Sequence, residues 1–141
     1  MVVKITRREF LLVSLSTGLV VLIPVSLHRG FTPDQQRTLL AVARTMFPHD
    51  HESDLIYMSA IGRVDSRCWS NAKLSSLISA GLLALERTCP ETFTKANQSA
   101  RVAALKAHEG SQFFQALYSE LLEAIYGPPE MWSLFFRPAA A

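Results

Sequence analysis

From Thr32 onward the apolar side chains recur at three- and four-residue steps, and each run is bracketed by residues that start and stop helices. Thr32-Pro33-Asp34-Gln35 supplies an N-cap, a proline at the first helical position and a glutamine at the capping-box position. Leu39, Val42, Ala43, Met46 and Phe47 follow at helical spacing until Pro48 ends the run. A second helix is predicted from Asp54 to about Cys68, capped by Asp50 or Ser53. Asn71 caps a third, whose stripe is Leu74, Leu77, Ile78, Gly81, Leu82 and Leu85, with Pro90 just past its end. A fourth covers Ser99 to His108 with Val102 and Leu105 inward. Gly110 breaks the chain before a fifth, Ser111 to Tyr126, carrying Phe114, Leu117, Leu121 and Ile125, and Pro129 starts a last turn. No alternating strand pattern of useful length competes. The predicted class is all-α, a small bundle of about five helices in residues 31–141, preceded by an N-terminal signal or anchor helix in residues 1–30.

That leading segment has a layout of its own. Lys4, Arg7 and Arg8 form a basic start, and Phe10 to Leu27 is then apolar apart from Ser14, Ser16, Thr17, Gly18 and Ser26, with no charge until Arg29. This is the layout of a signal peptide. The run is only just long enough to cross a hydrocarbon core of about 30 Å at about 1.5 Å per residue, so an uncleaved anchor is the second reading. Thr6-Arg7-Arg8-Glu9-Phe10-Leu11 resembles the bacterial twin-arginine export motif, with Arg7, Arg8, Phe10 and Leu11 as its matching residues and Leu12 in the place of the usual lysine. Ser26 or Gly30 is the last residue removed if the segment is cleaved.

Charge narrows the function classes. With Lys4, Arg7, Arg8 and Glu9 set aside, basic and acidic side chains are equal in number. A neutral body argues against nucleic acid, because phosphate contacts need a concentrated basic face. The glycines lie too far apart for a dinucleotide or phosphate loop, and there is no C-x-x-C-H and no cysteine cluster. The nearest approach to a ligand set is His49, Asp50 and His51, after Pro48. Two histidines at i, i+2 point to opposite sides of an extended loop, so a metal site there needs ligands from elsewhere in the fold. No nucleophile, base and orienting residue stand out together, so no catalytic residue and no cofactor are expected in this chain.

The order of landmarks is similar to that of a known family. "TLLAVARTMFPHD", "LISAGLLALE", "FTKANQSARVAALK" and "FFQALYSELLEAIYGPPEMW" resemble the gluconate 2-dehydrogenase subunit 3 family, over about Phe31 to Trp132. The specific landmarks are the aromatic-Pro-His-Asp at Phe47 to Asp50, the pair Phe113 and Phe114, and the Tyr-Gly-Pro to Trp run at Tyr126 to Trp132. The tail "SLFFRPAAA" differs from the Gly-rich end usual in that family. The resemblance implies a non-catalytic small subunit of a flavin-dependent sugar or polyol dehydrogenase. FAD is then held by a large flavoprotein partner, with a cytochrome c subunit further along the complex. It also implies that the small subunit carries its partner through the twin-arginine translocase to the periplasm, where the complex associates with the inner membrane. The alternative is an independent periplasmic metal-binding protein or a membrane-anchored helical protein.

Two expectations concern particular side chains. If Asn71 to about Thr88 is one helix, Cys68 and Cys89 lie at its two ends, about 25 Å apart, too far for a disulfide between them. Each is then a buried thiol or is bonded to a partner chain. Tyr126, Met131, Trp132, Phe135 and Phe136 crowd the C-terminal segment, where Gly127, Pro128 and Pro129 prevent one continuous helix. They are the candidate partner-binding residues, against the simpler reading that the tail folds back to finish the core.

Overall fold

The computed structural model describes residues 30–135, the Leu134 side chain apart, and the backbone of residues 10–14 and 20–24. The domain is all-α: helices α1 Pro33–Met46, α2 Asp54–Ser70, α3 Ala72–Thr88, α4 Gln98–Ala107, α5 Gln112–Tyr126 and α6 Pro129–Phe135. The two described pieces of the leading segment differ from the helix expected there. Strands β1 Phe10–Ser14 and β2 Val20–Pro24 pair antiparallel, with Phe10 opposite Pro24 and Leu12 opposite Leu22. β2 is rich in β-branched residues, which suit a pleated backbone better than a helix. Among the described residues no helix is long and apolar enough to cross a membrane.

The helix starts follow from the caps. The Gln35 backbone N–H donates to Thr32 Oγ1 at 3.2 Å and the Thr32 N–H to Gln35 Oε1 at 3.0 Å, a complete capping box. Asn71, Asn97 and Ser111 each accept from the backbone N–H three residues on, starting α3, α4 and α5. Ser53 stands at the cap position of α2 but makes no side-chain bond there. Asp54 in that first turn instead pairs with Arg44 of α1, whose guanidinium also donates to the Glu52 carbonyl.

The core joins α1, α2, α3 and α5, with Tyr57, Leu39, Val42, Ile61, Val64, Ile78, Leu85, Leu117, Leu121 and Ile125 fully buried. On α5 the inward residue is Phe113, where the sequence stripe named Phe114, which is only half-buried. The reason lies across the interface. A Cβ on Gly81 of α3 would fall 2.0 Å from the Phe113 ring, so the missing side chain is the socket that ring occupies. Val102 is likewise only half-buried, and Ala104 and Leu105 make the inward face of α4. The loop between α3 and α4 is held by Phe93, which is fully buried. Its N–H donates to Glu86 Oε2 at 2.9 Å while Thr38 of α1 donates to Glu86 Oε1 at 2.9 Å. Arg101 of α4 donates to the Phe93 carbonyl at 2.9 Å. Cys68 and Cys89 are both free and buried.

Candidate interaction face

Pro48 stops α1, and the turn that follows is fixed by one side chain of α2. The buried Tyr57 hydroxyl donates to the Phe47 carbonyl at 2.6 Å and accepts the His49 backbone N–H at 3.1 Å. The Arg44 guanidinium lies over the Tyr57 ring, 4.7 Å from its centroid. Burial raises the Tyr57 pKa, so the hydroxyl keeps the proton it donates. The turn thereby presents His49 towards the C-terminal end of α5, where His49 Nε2 lies 2.6 Å from the Tyr126 hydroxyl.

A chain of rings runs outward from this pair. Phe135 of α6 packs against His49 at 4.3 Å between centroids and against Tyr126 at 5.4 Å. Buried Phe47 meets Tyr126 edge-on at 5.9 Å and stacks on Tyr118 at 5.3 Å, and Tyr118 stacks in turn on Phe114. Phe114, Tyr118, Leu122 and Tyr126 stand four residues apart on α5, beside the buried stripe of Phe113, Leu117 and Leu121, so they form a second apolar row on the same helix. Tyr118 is 42% exposed and Leu122 41%. Beside this row, Thr45 and Met46 of α1, Val102 and Leu105 of α4, and Phe114 and Tyr118 line a shallow groove of about 170 Å³.

The expected partner-binding residues divide between inside and outside. Met131, on α6, is 6% exposed; Tyr126 and Phe135 are half-buried in the ring cluster. Trp132 is 53% exposed, with its indole N–H donating to the Tyr126 carbonyl at 2.7 Å. Phe136 lies outside the described residues, as do Arg7 and Arg8; of Phe10 and Leu11 only the strand backbone is described. The tail therefore both closes the core and leaves an indole face in solvent. Tyr118 and Leu122 were not singled out by sequence reading. Their signal was the four-residue spacing from Phe114 to Tyr126, which adds an apolar row to a helix already supplied with a buried one.

His49, Asp50 and His51 are not gathered into a ligand set. Among the described residues no group of three or more His, Cys, Asp or Glu side chains is placed to hold a metal ion. Asp50 and His51 are exposed, and the His49 ring is turned to Tyr126 and Phe135. Elsewhere on the surface Arg67 of α2 pairs with Glu123 at 2.7 Å, and its Nε lies 3.2 Å from the buried Glu120 Oε2 without hydrogen-bond geometry. That contact ties α2 to α5. A scan against protein-family models, a search of curated proteins and a search of solved structures each give no match to this chain.

Proposed function

We propose that this chain is the non-catalytic small subunit of a flavin-dependent sugar or polyol dehydrogenase, binding a large FAD-holding subunit and carrying it through the twin-arginine pathway to the periplasmic side of the inner membrane. One observation supports the reading above the others. Two of the three landmarks that carry the family resemblance, Phe47 to Asp50 and Tyr126 to Trp132, are far apart in sequence and meet in the fold through the 2.6 Å contact of His49 and Tyr126. In this reading the two segments that carry the resemblance pack together as one structural unit. The same unit borders Tyr118, Leu122 and Trp132, large apolar side chains in solvent of the kind that anchor stable interfaces. In this reading the chemistry belongs to the partner, and a folded flavoprotein without a signal crosses only as a passenger of this leader.

The test is recovery of the tagged protein from membranes in mild detergent at native expression. A stoichiometric large flavoprotein with a flavin absorption spectrum and no signal of its own is expected. Recovery of the chain alone, or with partners that bind no flavin, overturns the proposal. A second arm replaces Arg7 and Arg8 by lysine, which keeps the charge and removes the planar guanidinium donors. Export of both proteins should stop together, and unchanged periplasmic dehydrogenase activity would remove the passenger mechanism.

A further inference from the structure

We infer that the Gly30–Phe31 peptide bond is closed to proteolysis in the folded protein, so that removal of the leader leaves Gly30 attached to the domain. The state of the bond stands on the structure alone; its bearing on leader removal rests on the export reading above. A peptidase takes its substrate extended, with residues on both sides of the scissile bond held in its cleft, so susceptibility follows how firmly those residues are already held.

On the carboxyl side nothing is loose. The nitrogen of the bond itself, Phe31 N–H, donates to Asp65 Oδ1 of α2 at 2.7 Å. The Phe31 side chain is buried in the core, its carbonyl accepts from Gln36 Nε2 at 3.4 Å, and Thr32 is already the N-cap of α1. On the amino side Gly30 lies against α2 so closely that a Cβ there would be 3.2 Å from Trp69 Nε1 and 3.5 Å from each Asp65 oxygen. To present this bond the chain must withdraw Phe31 from the core, give up the Asp65 acceptor and undo the first turn of α1. Cleavage then follows the small population in which that corner is open. Of the two residues that the sequence offers as the last one removed, Ser26 and Gly30, the folded domain disfavours Gly30. A twin-arginine substrate reaches the peptidase already folded, so the protection is in place at the time of processing.

Thermolysin cuts on the amino side of large apolar residues and so recognises Phe31 by sequence. The full-length chain in mild detergent is digested native and in urea, and mass spectrometry follows fragments that end at Gly30 or begin at Phe31. Native cutting at this bond is expected to be at least about tenfold slower than in the unfolded chain, as expected for cleavage limited by a minor open population. A smaller difference overturns the inference. Asp65→Asn keeps an acceptor oxygen for the Phe31 N–H and should stay protected, whereas Asp65→Ala should cut faster with its helix content unchanged. If Asp65→Ala does not fold, the wild-type comparison still decides. In cells, an exported chain whose N-terminus is Gly30 or any earlier residue agrees with the inference, and one beginning at Phe31 overturns it. A chain retaining Met1 leaves the protected bond standing and removes leader cleavage from the export reading instead.

Discussion

The ring of His49, in the turn after α1, and the hydroxyl of Tyr126, at the end of α5, stand 2.6 Å apart and close the same end of the bundle that α6 covers. Tyr126→Phe removes that bond from a half-buried site and should lower stability by about 1 kcal/mol, the usual net value of one hydrogen bond. Combined with His49→Ala in a double-mutant cycle, the two changes should be non-additive by a similar amount. Urea unfolding of the four proteins measures it.

Tyr57→Phe should cost more, about 2 to 3 kcal/mol. Its hydroxyl is fully buried and serves two backbone groups, the Phe47 carbonyl and the His49 N–H, which would both be left without it. The comparison with Tyr126→Phe under identical conditions separates the cost of stranding buried backbone from the loss of one side-chain contact.

Gly81→Ala places a methyl group where the Phe113 ring lies and should destabilise by about 1 to 3 kcal/mol, despite alanine's better helix propensity. Phe113→Leu in the same chain should recover part of the loss. Absence of any recovery would show that the helices, rather than the ring, cannot give way.

Alkaline pH should weaken the fold. Burial pushes the Cys68 thiol up to about 11, and the nearby carboxylates of Asp65 and Glu120 push in the same direction. Cys89, Tyr57 and Tyr126 are also raised, each first by burial. A group that holds its proton more tightly when folded contributes stability below its unfolded pKa and loses it as pH rises through the folded one. For Cys68 that window runs from about 9 to about 11. Thermal midpoints should fall across it, and Cys68→Ala should flatten part of the slope while lowering the midpoint at neutral pH.

Tyr118→Ala and Trp132→Ala remove exposed rings and should leave the unfolding midpoint within a few degrees of wild type while weakening capture of the flavoprotein. Met131→Ala should do the reverse, since that α6 side chain is only 6% exposed. Equal loss of partner in all three would place the interface on another face.

The helices were legible because their ends carry chemistry that acts locally. Thr32 with Gln35, Asn71 and Ser111 bind backbone within three residues of themselves, and Pro48 stops α1 by geometry alone. What escaped reading depends on distant partners. Phe113 rather than Phe114 is inward because Gly81, on another helix, leaves room for it. Ser53 makes no side-chain cap bond, and the adjacent Asp54 is bound by Arg44 instead. Tyr57 shares the helical spacing of Ile61, Val64 and Cys68, but the loop backbone that its hydroxyl serves lies beyond its own helix, and Phe93 sits in a loop where its N–H is held by Glu86 of α3. The ring cluster joins three separate segments, and only the fold places Phe47 between Tyr118 and Tyr126.

The two oxygens of Glu86 are engaged in different directions, one by the Thr38 hydroxyl and the other by the Phe93 N–H. A hydroxyl can rotate to donate or accept, but an amide hydrogen can only donate. Replacing the carboxylate by the amide of glutamine would therefore be absorbed at position 38 and not at 93, unless its single carbonyl oxygen turns to the loop. Deuterium uptake at the Phe93 amide thus becomes a timer for the whole α3–α4 connection: it exchanges only when α3 lets go of the loop, so its rate reads out how often that corner of the bundle opens.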